Sequence, residues 1–247
     1  PEVLRQDGFS KLRVVLKQTE ADPDFTSCPY PNPESGETLS CGLELAKHED
    51  ADLLIATDPD CDRMGVAVRH ATDWKQLSGN DVGVLLLDWI CRHEKACGHA
   101  VAGRVVLTTI VTTPMIDALA NYYGFELRRT LTGFKFIGEQ IGLLEKKGQT
   151  DRFLFGLEES IGYLKGSYVR DKDGVVASLL ICELAAELKE EGPDLIERLE
   201  GLRDKFGHFI SKQITIPYQG IDGPAKMRAV LSCLRKLHPK EIGGLPI

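Results

Sequence analysis

Asp58, Asp60 and Asp62 take every second position of Thr57-Asp58-Pro59-Asp60-Cys61-Asp62-Arg63. Alternate residues of an extended segment project to one side, so carboxylates spaced this way are expected to converge on one point. Clustered anions repel unless a cation sits among them, and hard oxygen ligands select Mg2+, Mn2+ or Ca2+ over softer metals. A short loop with few ligands would leave positions for a substrate oxygen. The competing reading is a solvated acidic turn. A calcium-sensing loop is disfavoured, because the positions that would need Gly and Glu hold Arg63 and Arg69.

The elements that must hold this loop follow from the flanking pattern. The apolar run Leu53-Leu54-Ile55-Ala56 predicts a buried strand ending at the first aspartate. Pro59 fixes its own φ, and Gly65 relaxes the chain before Val66-Ala67-Val68, so a rigid bend between two strands is expected. Upstream, Leu12 to Leu16 reads as a strand, Pro23 to Pro33 as a proline-rich loop and Gly36 to His48 as a helix. A short strand from Trp74 to Leu77 closes this unit, whose sheet is expected to lack one edge.

Ser78-Gly79-Asn80-Asp81 marks a boundary. Asn80 is expected to cap a helix whose Val82, Leu85, Leu86, Trp89 and Ile90 form one apolar stripe. Val105-Val106-Leu107 reads as a strand, and Thr113-Pro114 supplies a cap and a first-turn proline for a helix through Tyr123. Thr113 is therefore read as a cap and not a ligand contact. Phe153-Leu154-Phe155 predicts a strand, Asp173 to Glu190 a buried helix, and Gly192-Pro193 a break before another helix. After Gly207, Phe209 to Pro217 and a helix starting near Pro224 read as the opening of a further unit. Strands and helices alternate, so the fold class is α/β, with domains at 1–77, 78–206 and 207–247.

Composition narrows the function. The chain has 247 residues and a net charge of −7, which speaks against a dominant nucleic-acid footprint. Seven cysteines without C-x-x-C spacing argue against a disulfide framework and a structural zinc, and point to the reducing cytoplasm. Cys91 and Cys182 read as small buried hydrophobes, while Cys61 is the one whose oxidation would matter. No charged n-region followed by an apolar h-region is seen at Pro1, and no apolar run suits a membrane span. The chain begins at Pro1, not Met, and is expected to be soluble.

Four stretches together resemble one family. Thr57 to Arg63 is similar to the metal loop of the α-D-phosphohexomutases, the phosphoglucomutase and phosphomannomutase enzymes. Thr130-Leu131-Thr132-Gly133-Phe134-Lys135-Phe136-Ile137-Gly138 resembles their T-x-T-G-[FW]-K-[FI] segment. Gly156-Leu157-Glu158-Glu159-Ser160 resembles their sugar-binding loop, and Arg170-Asp171-Lys172-Asp173-Gly174 their R-[DE]-K-D-G turn. The similarity runs through nearly the whole chain and weakens after about Phe206. Pro59, Cys61 and Leu157 depart from the usual small residues or Gly. None of the ten serines is followed by His, so the family's phosphoserine loop is absent, as is its C-terminal Arg-x-Ser-Gly-Thr type phosphate loop. The resemblance thus implies the middle of a longer, four-domain enzyme, with the first domain here incomplete and N- and C-terminal domains missing.

The resemblance also implies roles. A phosphoserine would exchange its phosphoryl group with a hexose phosphate through a hexose 1,6-bisphosphate, moving phosphate between O1 and O6. One Mg2+ would bridge Asp58, Asp60 and Asp62 to a phosphate oxygen, with Arg63 adding positive charge or steadying the acidic loop through a salt bridge. Glu158 and Ser160, two apart on an extended loop, would hold the sugar O3 and O4 hydroxyls while Glu159 faces solvent. Lys172 would act beside the attacking hydroxyl as acid/base or electrostatic group, with Arg170 nearby. Proton transfer by Lys172 would need a lowered pKa, whereas a solvated turn is its ordinary reading. Lys135 would reach sugar or phosphate, or lie on the surface at a helix start; Asn32 is a rigid loop position.

Other classes stay open. An aspartate-nucleophile phosphatase would use Asp58 after a buried strand, but leaves the third aspartate and Glu158-Glu159-Ser160 without purpose. A non-catalytic sugar-phosphate binding module would use the same residues without turnover. Glucose, mannose and pentose phosphates are not distinguished by these motifs.

Overall fold

The structure, a computed structural model, describes residues 1–211, 216–218, 220–237, 240–242 and 244–246. It divides into two compact units, Pro1–Ile210 and Ser211–Ile247.

The first unit holds two sheets. After a short helix α1 (Glu2–Gln6), the chain stays irregular until α2 (Ser40–His48), apart from one 3-10 turn at Leu16–Gln18. The strand expected at Leu12 to Leu16 is not formed. A strand needs a neighbour for its N–H and C=O groups, and this segment pairs with none. Leu16 is left 79% exposed. The first sheet is an antiparallel meander of β1 (Leu53–Thr57), β2 (Met64–His70) and β3 (Asp73–Leu77), in that order, with β1 at an edge. Ala56 pairs with Gly65 and Thr57 with Met64, so residues 58–63 form the connection.

The next helix, α3 (Gly79–Ala96), begins at Ser78 and not at Asn80. Ser78 and Asp81 form a reciprocal capping box, while Asn80 Oδ1 accepts from Thr113 N–H at 3.0 Å. Asn80 thus ties α3 to the loop after β4. That strand (Val105–Thr109) is followed by α4 (Met115–Tyr123), β5 (Glu126–Thr130), α5 (Phe134–Lys146), β6 (Phe153–Glu158) and β7 (Gly162–Leu164). The Thr113 hydroxyl accepts from Met115 N–H at 3.3 Å, but the cap position of α4 falls on Pro114, one residue later than expected, without a side-chain capping bond of its own. The second sheet runs β5-β4-β6-β7, parallel except for the β6–β7 hairpin.

Alternation along β4 sets the layers. Val105 and Leu107 face Phe134, Ile137, Ile141 and Leu144 of α5, whereas Val106 faces the larger core shared with α3 and α4. Covered on both faces, β6 is buried along its whole length. Two further helices, α6 (Gly174–Glu191) and α7 (Leu195–Phe206), join that core with Ile181, Leu184, Leu188, Leu195, Leu199 and Leu202. Met64, Val66 and Val68 of the first sheet enter the same core. Each such side chain, fully buried, contributes about 1.5–3 kcal/mol. One apolar core therefore runs beneath both sheets.

The second unit carries α8 (Gly223–Leu237) and a two-stranded ribbon, β8 (Glu241–Ile242) with β9 (Leu245–Pro246). The helix expected near Pro224 is present; the segment Phe209 to Pro217 lies partly outside the described residues. No helix among the described residues is long and apolar enough to cross a membrane.

Candidate functional site

The three aspartates converge, but not by strand alternation. Cys61 N–H donates to Asp58 C=O at 3.0 Å, closing a turn, and Cys61 itself adopts φ 61° in the left-handed region. The Asp58 carboxylate then accepts from Asp62 N–H at 3.1 Å and Arg63 N–H at 3.0 Å. A loop folded back on its first side chain brings one carboxylate oxygen from each of Asp58, Asp60 and Asp62 within 4.8 Å of the others. Cys61 thus holds a left-handed conformation that favours glycine, and a turn gathers the acids where an extended segment was expected to.

Carboxylate oxygens at this separation suit a small hard cation. Ligands about 2.1 Å from Mg2+ or 2.3–2.6 Å from Ca2+ span up to roughly 4–5 Å across the ion, and three protein ligands would leave half an octahedron open. The three negative charges are only partly offset, by Lys172 on Asp62 and by Arg63 nearby. Burial, opposed by the Arg63 N–H bond and reinforced by Asp62 and Asp60, pushes the Asp58 carboxyl above its ordinary value. Arg63 lies alongside, its Nε 3.8 Å from both Asp58 and Asp62, too far for a hydrogen bond.

Lys172 is not a solvated turn residue. Its Nζ bonds Asp62 Oδ2 at 2.7 Å and Asp171 at 3.1 Å, with only 12% of the side chain exposed. Burial works against the ammonium, but the bonds to Asp62 and Asp171 outweigh it and hold the pKa above the usual lysine value. The lowered pKa that proton abstraction would need is not what this arrangement gives; a held proton is. The Lys172 stem lies against Gly162, where an added Cβ would come within 2.2 Å of Lys172 Cδ, and Nζ sits 5.6 Å from the Phe134 ring centroid. Gly162 pairs with Glu158 across the hairpin. Lys172 therefore connects the aspartate turn to the hairpin.

Glu158 ends β6, only 6% exposed, and its Oε1 accepts from Gly133 N–H at 2.8 Å. Burial raises its pKa, while Gly133 N–H and Lys172 work in the opposite direction. Ser160 occupies the hairpin turn, half-buried. Glu159, expected to face solvent, instead turns inward. Its Oε2 accepts from Thr109 at 2.8 Å and Thr112 at 3.2 Å, fastening the hairpin to the end of β4. The hydroxyls of Thr109 and Thr112 are buried and 2.9 Å apart; one can donate to the other, but both protons are satisfied only with a further acceptor, which the carboxylate supplies.

Arg170 and Lys135 stand apart from this constellation. The Arg170 guanidinium pairs with Glu145 at 2.9 Å, near the C-terminal end of α5, while its carbonyl packs on Gly138. Lys135 is exposed, with Nζ 5.0 Å from the Phe136 ring centroid. The Thr130-to-Gly138 segment contributes the Phe134 ring near Lys172 and a backbone group, the Gly133 N–H, which a reading of side chains passes over.

The two regions are stitched by backbone. Met64 N–H donates to Ile161 C=O at 3.0 Å and Gly174 N–H to Cys61 C=O at 3.0 Å. Fold and site define an α/β protein in which a cluster of three carboxylates, spaced as a hard cation would need, abuts a hairpin with a buried carboxylate. Residues 1–72 match the family model "Phosphoglucomutase/phosphomannomutase, alpha/beta/alpha domain II", and residues 78–205 match domain III of the same family. The chain belongs to the phosphoglucomutase/phosphomannomutase family.

Among its relatives, phosphoglucomutases of Staphylococcus epidermidis and Staphylococcus aureus are each 35% identical over 248 aligned residues, which take in 100% of this chain and 44% of theirs. The chain thus spans less than half the length of these curated relatives. A phosphomannomutase-type protein of Thermus thermophilus superposes over 70% of this chain and 35% of its own, with a TM-score of 0.54 and 27% identity. A family protein of Burkholderia thailandensis, at 20% identity, covers 70% of this chain and 33% of its own with a TM-score of 0.53, and shares the fold.

Proposed function

We propose that the chain is the metal- and sugar-binding part of a phosphohexomutase that interconverts hexose 1-phosphate and hexose 6-phosphate through a phosphoserine and a hexose 1,6-bisphosphate. In this reading residues 1–77 and 78–206 are the second and third domains of the family and 207–247 opens the next. Asp58, Asp60 and Asp62 would hold one Mg2+. When bound, the ion would neutralise charge on the transferring phosphoryl group, the main requirement of such a reaction.

The chain's own residues supply the rest. Lys172, kept protonated by Asp62 and Asp171, stabilises anionic oxygens next to the cradle and can give a proton to a leaving hydroxyl. Arg63, with 37% of its side chain exposed and no carboxylate within hydrogen-bond distance among the described residues, keeps donors free for a phosphate oxygen. Glu158, its one oxygen fixed by Gly133 N–H, and Ser160 two residues on would receive sugar hydroxyls. That arrangement recognises the ring without reading which end is phosphorylated, as a reaction with two substrate orientations needs. Hexose phosphate is the proposed substrate, and the cytoplasm the proposed location, supported by seven free cysteines.

The observation that carries this reading is the 2.7 Å bond between Lys172 and Asp62, because it puts two sequence-distant motifs into one constellation. Two measurements test it. Calorimetry should detect Mg2+ or Mn2+ binding that Asp60→Ala weakens by about tenfold or more, since it removes a ligand without touching the Asp58 turn bonds; equal affinity in the variant removes the metal assignment. The 247-residue chain, which has no serine followed by His, should not convert glucose 1-phosphate to glucose 6-phosphate even with Mg2+ and added bisphosphate. Turnover would show that the chemistry does not depend on such a serine.

A further inference from the structure

A second polar site lies where α3, α4 and α7 meet. A cavity of about 300 Å³ is walled by Asp88, Arg92, Lys95, Tyr122, Arg198 and Lys205, among others. Four cations face one carboxylate, in a chain whose net charge is −7. That imbalance is local and needs an explanation.

The one carboxylate is already committed. Asp88, 1% exposed, accepts from Tyr123 Oη at 2.7 Å, Arg198 Nη2 at 2.5 Å and Arg92 Nε at 3.2 Å. Glu187, outside the cavity, takes Arg92 Nη1 at 3.1 Å together with the ring N–H of Trp89 and His93. Donors still outnumber acceptors, for Arg92 Nη2 and Arg198 Nε are buried without a hydrogen-bond partner. At the mouth, Lys205 Nζ stands 3.7 Å from the Tyr122 ring centroid and Lys95 Nζ 4.8 Å from that of Tyr123. Neither lysine has a carboxylate partner within 4 Å among the described residues. Two guanidiniums fixed from below and two ammoniums held over aromatic faces form a cradle for an anion with several oxygens.

We propose that this cavity binds a small phosphorylated ligand, its phosphoryl oxygens taken by Arg92, Arg198, Lys95 and Lys205. The site is separate from the aspartate cradle. Gly79, the first residue of α3, abuts the Glu159 backbone, and Asp88 to Lys95 lie roughly 14–24 Å further along the helix at 1.5 Å per residue. The cavity has room for a pyrophosphate or one phosphosugar, and its recognition is independent of whether the mutase reading holds.

Pyrophosphate is the probe, titrated calorimetrically into the 247-residue chain in chelator at low ionic strength. Binding is expected, and K95Q/K205Q should weaken it by about tenfold or more, while K147Q, at the exposed C-terminal end of α5 and outside the cavity, should leave it unchanged. Both lysines are exposed, and unfolding scans without ligand check that the double variant is folded; the single variants K95Q and K205Q should each give an intermediate loss. No binding by the unaltered chain overturns the proposal. So does unchanged affinity in K95Q/K205Q, or an equal loss in K147Q.

Discussion

The two sheets deliver their loops to the same place by different means. Strand β6, which presents Glu158, is buried along its whole length between α5 on one side and α3 on the other. Strand β1, which leads into the aspartate turn, is an edge strand, half-buried for four residues and exposed at Thr57. The hairpin therefore rests on packing. The aspartate turn rests on hydrogen bonds, some its own and some lent by the hairpin and by the start of α6. A site assembled this way ties the geometry of the three carboxylates to the contact between the two sheets.

The difference between the sheets should be largest at their cores. Phe155→Ala, in a fully buried ring stacked 6.4 Å from Tyr163, is expected to cost about 3–5 kcal/mol. Ile55→Ala, at a half-buried position of β1, should cost about 1–2 kcal/mol. Denaturant titrations of the two variants check this, and equal losses would mean that the sheets are supported alike.

A sharper cut falls on the stitch. A Cβ at Gly174 would lie 2.7 Å from Cys61 O and 2.8 Å from Arg63 O, both backbone atoms that cannot swing aside. Gly174→Ala is expected to destabilise by about 1–3 kcal/mol and also to weaken Mg2+ binding, although residue 174 is not a ligand. Calorimetry on the folded variant separates the two effects. Unaltered Mg2+ affinity would show that the turn keeps its shape without the second region.

The smallest effect concerns charge. The folded Asp58 pKa is raised, chiefly by burial, above the ordinary 3.8. A carboxyl with a raised folded value favours the fold when protonated, so the ion-free chain loses stability as pH climbs from 3.8 through that raised value. Asp58→Asn keeps an Oδ1 acceptor for the Asp62 and Arg63 N–H groups and removes the charge. In chelator near neutral pH it should melt slightly higher than the unaltered chain, with no gain in acid below the carboxylate range. A lower melting point at neutral pH would mean that the carboxylate stabilises the turn even without an ion.

Much of this was readable beforehand, and the misses share a cause. The apolar runs at Leu53 and Phe153, the stripe of α3 and the break at Gly192 announced their elements because side-chain periodicity reports burial directly. The aspartate cluster was legible as residue types, but its geometry was not, since a backbone turn closed on Asp58 has no side-chain period. Ser78, not Asn80, caps α3 because its partner Asp81 completes a reciprocal pair while Asn80 is recruited by Thr113, a contact across 33 positions of sequence. Glu159 was misjudged for the same reason: the buried threonines that claim it lie 50 and 47 positions away. Leu12 to Leu16 carried a strand's composition with no neighbour to complete it.

The Lys172 contact bears on how such a cradle passes between empty and loaded forms. With an ammonium already resting on Asp62, the three acids do not face one another bare; a divalent ion held there would take the place of a resident counter-charge, and Lys172 would exchange one partner for another at fixed geometry.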